Sequence, residues 1–240
     1  MKKDVYRFRR VATTVIFGIV LILTTFYIWN SSQNPANFPQ TAPSQRPPET
    51  NQTLAIEALE KLQIKGRSPN TGYSREQFGG DWKSYGKTCN EREKILARDL
   101  KNTVLSDDNC TVKSGTLDDP YTGKTISFER GAKTSSLVQI DHVVAISNAW
   151  QTGAQNLTSD QRKQLYNDPL ELLAVDGPAN NKKSDGDAAT WLPPNKSFRC
   201  EYVARQIAVK TKYSLWLTEP EATTMRGILA NCPNEPLPSP

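Results

Sequence analysis

Histidine is almost absent from this chain: one, His142, in 240 residues. If the protein moves protons with an imidazole near neutral pH, no other residue can do it. Cysteine is sparse and never spaced C-x-x-C. The four residues Cys89, Cys110, Cys200 and Cys232 therefore lack the pattern of a zinc site. No internal repeat is evident, which excludes repeat architectures. Net charge is scarce where it would matter. The total is +5 and the pI about 9.0, but residues 1–10 hold five bases against one acid. The remaining chain is then near +1, so bulk basicity gives no argument for a polyanionic ligand.

Charge is missing altogether from residues 11–29, an apolar run of 19 residues. As a helix it would span the ~30 Å of a bilayer core. Lys2, Lys3, Arg7, Arg9 and Arg10 form a basic flank that stays in the cytoplasm. A cleaved signal peptide would have a shorter apolar region and a small-x-small site, whereas this run ends in Phe26-Tyr27-Ile28-Trp29. We read an uncleaved signal anchor, with all that follows outside the cytoplasm, at the cell surface or in the periplasm. Cleavage would make the protein secreted. Residues 30–50 are rich in Pro, Ser, Gln and Asn and read as a disordered tether, as does the tail 233–240. Residues 51–232 are long enough for one domain with its own core.

Four cysteines beyond the membrane fit an oxidising compartment. Three pairings are open, and Cys89–Cys110 with Cys200–Cys232 is the simplest. Residues 52–65 and 90–100 read as helices, with Arg92 and Arg98 off the apolar face of the second. Residues 111–115 and 124–128 read as a hairpin around Asp118-Asp119-Pro120-Tyr121-Thr122-Gly123. Residues 137–146 are strand-like, 159–166 helical, and 172–175 a short buried strand. Asp176-Gly177-Pro178 reads as a turn, and a helix follows from Asn180 to about Trp191. Residues 200–212 and 219–229 read as closing helices. Among the local basic clusters, Lys182-Lys183 and the Lys196–Arg199 pair are candidates for a ligand. Arg205, Lys210 and Lys212 read as a solvated helix face. Trp150 and Trp191 read as core aromatics.

Asp141 and His142 stand together at the end of an apolar, strand-like run, where two ionisable groups are costly unless each has a partner. Asn180 follows 38 residues later, after the second strand. If the strands pair antiparallel and the helix folds back, Asn180 faces Asp141. A carboxylate and an amide oxygen are hard ligands suited to Mg²⁺. His142 would then deprotonate a water on the other side of a phosphate.

Four motifs occur in order. They are Ile140-Asp141-His142-Val143-Val144, the run from Asn167 to Gly177, Asn180-Asn181-Lys182-Lys183-Ser184-Asp185, and the run from Ala188 to Pro194. Together they resemble the secreted branch of the HNH (His-Asn-His) endonucleases. Tyr73-Ser74-Arg75, Trp82, Cys89 and Arg92 upstream, with Cys200-Glu201-Tyr202-Val203 and Lys210 downstream, extend the resemblance over about residues 70–230. It implies an α+β fold: a ββα-metal (His-Me finger) core at about 137–191, with added helices, a small N-terminal hairpin and disulfides. It also implies phosphodiester hydrolysis with one divalent ion, Mg²⁺ first and Mn²⁺ second.

Carried over by position, Asp141 and Asn180 are the metal ligands and His142 the general base. Lys182 and Lys183 are the phosphate contacts, at the edge of a basic cleft. Asp185 supports Lys183 or the helix start. One position departs from the family pattern. Its middle Asn pins the loop that orients the histidine, and here that position is Glu171, with Asn167 four residues earlier as the substitute. The expected activity is a membrane-tethered endonuclease cutting DNA, and RNA as a second substrate, with little sequence preference and no protein partner. The competing reading is a non-catalytic surface module that binds nucleic acid, cell wall or a partner protein. A third is a hydrolase of another phosphodiester.

Overall fold

Alternation along a two-stranded ribbon decides how this domain is layered. The computed structural model describes residues 53–238. The basic flank, the 11–29 run and the 30–50 tether lie outside the described residues. Strands β4 (Val138–His142) and β5 (Leu172–Asp176) pair antiparallel, with His142 opposite Leu172, Asp141 opposite Leu173 and Ile140 opposite Ala174. Side chains point alternately to opposite faces. Val138, Ile140, Leu172 and Ala174 therefore enter one apolar cluster, and Leu173 and Val175 enter another.

The first cluster is closed by helix α2 (Glu91–Asp99) and by a three-stranded antiparallel sheet of β1 (Lys101–Leu105), β2 (Val112–Asp118) and β3 (Thr125–Glu129). The expected hairpin is β2–β3; β1 is an additional strand. An isolated ribbon is marginal in water, and its edges carry unpaired backbone groups. Here α2 satisfies those edges. Arg98 donates to Pro169 O and Leu172 O at 2.7 Å each, Asp99 accepts from Ala174 N at 2.8 Å, and Arg92 donates to Val138 O at 3.2 Å.

The second cluster is the larger. It holds helix α1 (Ala55–Leu59), α3 (Ile146–Gln151), α4 (Ser159–Tyr166), α6 (Arg199–Lys212) and α7 (Glu219–Leu229). Trp150 packs inside it, and Trp191 packs against it. Disulfides join Cys89 to Cys110 and Cys200 to Cys232, with Cα–Cα separations of 5.5 and 6.4 Å. Among the described residues no helix is long and apolar enough to cross a membrane.

Three expectations need correction. The helix expected over 52–65 covers only Ala55–Leu59, because the chain beyond it pairs with the 217 region: Leu217 N donates to Gln63 O, and Lys65 N to Leu217 O, both at 2.9 Å. Residues 233–238 are not a free tail. Ala55 N donates to Glu235 O at 2.9 Å, Leu237 N to Thr53 O at 3.0 Å, and Leu237 packs on the core. Nor is the basic series on α6 wholly a solvated face: Lys212 is exposed, but Lys210 is not. Lys210 is fully buried, 2.9 Å from the buried Glu221 carboxylate and 3.0 Å from Trp216 O, and so ties α6 to α7.

Removing one partner of a buried pair strands the other charge. We expect Lys210→Ala to lower unfolding free energy by about 3–5 kcal/mol in urea titrations. Replacing Lys210 and Glu221 together by Met and Leu should recover most of that loss.

Candidate active site

Helix α5 (Gly177–Lys183) starts three residues before Asn180. Asp176 caps it, accepting from Ala179 N at 2.7 Å, and Pro178 occupies its first turn. What reads as a turn in Asp176-Gly177-Pro178 is a helix start. Asn180 sits mid-helix, and α5 ends at Lys183 rather than near Trp191. Gly177 is required here, since a Cβ would come within 2.1 Å of Ser136 O.

This early start presents Asn180 and Lys183, three residues apart, on one helix face. That face meets Gln139 and Asp141, two apart on β4. Three residues rise about 4.5 Å along a helix and two about 6.6 Å along a strand, and the long lysine side chain reaches across the difference. Asn180 Nδ2 donates to Gln139 Oε1 at 2.9 Å. Lys183 Nζ donates to Asp141 Oδ1 at 2.9 Å and to His142 O at 2.7 Å.

Lys183 is thus a buried structural cation, not a phosphate contact. Lys182 is exposed and outside the pocket lining. The expected basic cleft along the two lysines is absent from the described residues. Asp185 makes no pair with Lys183 and caps no helix; it is exposed at the pocket rim.

Asp141 and His142 leave β4 on opposite faces. Tyr121, fully buried, donates its hydroxyl to Asp141 Oδ2. Burial pushes the Asp141 carboxyl above its ordinary range, against the pull of Lys183 and Tyr121. His142 is buried with its ring stacked on Trp82, 5.5 Å between centroids and 5° between planes, and 4.5 Å from the Tyr166 ring.

His142 Nε2 lies 2.9 Å from Tyr166 O. A carbonyl can only accept, so Nε2 carries the proton and the neutral ring keeps its lone pair on Nδ1. Among the described residues Nδ1 has no hydrogen-bond partner. Burial pushes the imidazole pKa down to about 3, helped by the charges of Arg75 and Lys183. The ring is therefore neutral at physiological pH, and Nδ1 is the nitrogen able to accept a proton.

The position expected to pin the histidine loop does so with different chemistry. Glu171 is fully buried; its carbonyl accepts from Val143 N at 2.9 Å, and its Oε2 from Val144 N at 3.2 Å. It therefore holds the two residues that follow His142. Oε1 has no partner among the described residues, and burial pushes the carboxyl well above its ordinary range. A neutral carboxyl carries one donor and spare acceptor capacity, closer to an amide than a carboxylate is. Asn167 does not substitute. It accepts from Lys83 N at 2.7 Å and donates to Lys163 O at 3.0 Å, away from His142.

Asp141, His142 and Asn180 share a pocket of about 390 Å³, whose lining includes Tyr73, Arg75 and Asp185. A larger depression of about 790 Å³ contains Asn167, but none of these three residues. Its buried Asp168 is already held by Tyr213 and Lys212, so we place the chemistry in the smaller one.

The donor set suits a hard divalent ion. Asn180 spends its nitrogen on Gln139, which leaves its amide oxygen without a partner among the described residues. Each Asp141 oxygen accepts one hydrogen bond and keeps a second lone pair. Two protein oxygens and several waters fit the habits of Mg²⁺. Residue patterns in the sequence did not disclose Tyr166, Tyr121, Gln139 or the role of Arg75. Tyr166 acts through its backbone, which no pattern of side chains reports.

Residues 74–228 match the family described as "GmrSD restriction endonucleases, C-terminal domain". The chain belongs to this family. It is an HNH-like nuclease domain family whose members generally use a divalent metal. The GmrSD C-terminal domain match thus covers β1–β5 and most of the helical cluster, including every site residue except Tyr73. A relative from Arthroderma benhamiae, described as "Uncharacterized secreted protein", is 37% identical over 194 residues, covering 80% of this chain and 91% of that protein. No solved structure matches.

Two titrations follow. The unfolded His142 ring takes a proton below about pH 6.5, and the folded one not until about pH 3. Its contribution is therefore complete above pH 6.5 and is lost as pH falls below it. Between pH 7.5 and 5.5 the wild type should lose about 1 kcal/mol more than His142→Asn in urea titrations. Glu171 has the opposite sign: its folded pKa is raised, so its contribution is lost as pH rises above the unfolded value. Glu171→Gln should be more stable than wild type at pH 8, with no difference near pH 4, in urea titrations.

Proposed function

We propose that this protein is an extracytoplasmic, metal-dependent endonuclease that hydrolyses phosphodiester bonds of DNA, and of RNA as a second substrate, with little sequence preference. The observation that carries this is the tautomer of its one histidine. His142 is held through Nε2 on Tyr166 O at 2.9 Å, which leaves the Nδ1 lone pair free in the pocket that also holds Asp141 and Asn180.

In this reading His142 Nδ1 takes a proton from a water molecule. The water oxygen bonds to phosphorus, and the ester P–O bond on the far side breaks. The leaving oxygen takes a proton from solvent. The Tyr166 carbonyl stabilises the imidazolium as it forms, as an oriented acceptor on Nε2–H. Trp82 and Tyr166 bury the ring and keep it neutral until then. Glu171 holds the chain after His142 so that the ring does not swing. Asp141 and Asn180 would hold one divalent ion, Mg²⁺ or Mn²⁺, which when bound supplies positive charge for the phosphate and leaving oxygens. Lys183 fixes the Asp141 carboxylate on the helix side.

The location belongs to the same proposal. The 11–29 run would anchor the chain in a membrane, with the domain outside. Two disulfides and a relative described as secreted support an oxidising, extracytoplasmic setting.

Supercoiled plasmid is the direct assay. With Mg²⁺ or Mn²⁺ the full chain should nick it, and EDTA should stop the nicking. His142→Ala should lower the rate by about 10³-fold or more, as loss of a general base does. Asn180→Ala should raise the metal concentration needed for half-activity. Equal nicking by His142→Ala would sink the mechanism.

A further inference from the structure

A phosphodiester entering the His142 pocket needs a cation, and the two lysines expected to supply it are elsewhere. Lys183 is sealed against Asp141 and His142 O, and Lys182 is outside the lining. Only one residue lining the pocket has a permanently charged cationic side chain, and that is Arg75. It opens the 3-10 turn Arg75–Phe78 and is exposed. No carboxylate pairs with it among the described residues.

Arg75 is not loose, however. Its Nη2 donates to the Tyr166 hydroxyl at 3.1 Å, and its guanidinium carbon lies 5.5 Å from the Tyr166 ring centroid. Nε and Nη1 have no hydrogen bond among the described residues. The fork is therefore anchored at one corner and open at the others. A guanidinium matches a phosphate with two parallel N–H donors, which an ammonium cannot do.

The anchor itself is informative. Tyr166 holds His142 through its carbonyl and Arg75 through its hydroxyl. One residue thus sets both the general base and the free guanidinium in a common frame.

The geometry points to Arg75 as the residue that grips the scissile phosphate in this pocket. The assignment rests on the nuclease reading above for the word scissile, and on the pocket alone for the phosphate. Arg75 would hold non-bridging oxygens in the ground state and more strongly as they gain charge.

The test uses the full chain and two readouts. The first is anisotropy of a fluorescein-labelled 12-mer DNA duplex in EDTA, where nothing is cut. Arg75→Ala should weaken binding about 10-fold and lower the slope of log K against log salt by about 0.9, the signature of one lost phosphate contact. The second is plasmid nicking with Mg²⁺, where kcat/KM should fall about 100-fold, mostly in kcat. Arg75→Lys should restore binding more than turnover. Tyr166→Phe, which keeps the ring and the carbonyl, should give an intermediate loss and carries the test should Arg75→Ala fail to fold. Arg75→Ala or Tyr166→Phe with wild-type binding, salt slope and nicking overturns the proposal and leaves the nuclease reading standing. Arg75-dependent binding with no nicking by the wild type under Mg²⁺ or Mn²⁺ supports the phosphate grip and ends the nuclease reading.

Discussion

The ammonium of Lys183 has no access to solvent and must find its oxygens inside the protein. It takes Asp141 Oδ1 and the carbonyl of His142. A buried charge left alone costs several kcal/mol, so helix α5 has one place to sit: across the end of β4. That placement brings Asn180 onto Gln139 and into the pocket. It also holds the backbone of His142 from below. The juxtaposition of acid, amide and imidazole follows from one desolvated cation. The site depends on a residue that does not itself reach the pocket.

Above the strand end, the same logic works with apolar surface and neutral groups. Trp82 and Tyr166 enclose the imidazole, and Glu171 sits fully buried beside the turn it holds. Low polarity pushes the His142 imidazole pKa down and the Glu171 carboxyl pKa up. Both shifts arise chiefly from burial, and they have opposite signs because one group is a base and the other an acid. The cluster is tied to the rest of the domain by α2, whose Arg92, Arg98 and Asp99 close the edges of the ribbon. A two-stranded element therefore stays rigid enough to carry chemistry at its end.

Much of the frame is legible in the residues. The cores of α6 and α7 follow from apolar periodicity, and β2–β3 from its turn residues. The local cysteine pairing needs only short loops. Asp141, His142 and Asn180 stand out because ordinary burial does not explain two adjacent ionisable groups in an apolar run. The two lysine misreadings share one cause. Lys183 and Lys210 look like surface charges, as most lysines are, and only their carboxylate partners, 42 and 11 residues away, make them interior. Asp176-Gly177-Pro178 supports a turn or a helix start equally well. The packing of Gly177 against Ser136 O decides for the helix.

Residue types and the order of four motifs along the chain, with the family resemblance they carry, marked out the candidate proton carrier and ligands of this protein and the succession of strand, strand and helix that presents them. A linear chain displays both. Which nitrogen of His142 is free, that Glu171 is buried with its carboxyl pKa raised, that Lys183 faces inward and that Arg75 lines the pocket depend on the tertiary structure alone. Each depends on what lies across space from the group, whether the Tyr166 carbonyl, a sealed apolar wall or a distant carboxylate. Desolvation is set by the whole fold rather than by neighbours in the chain.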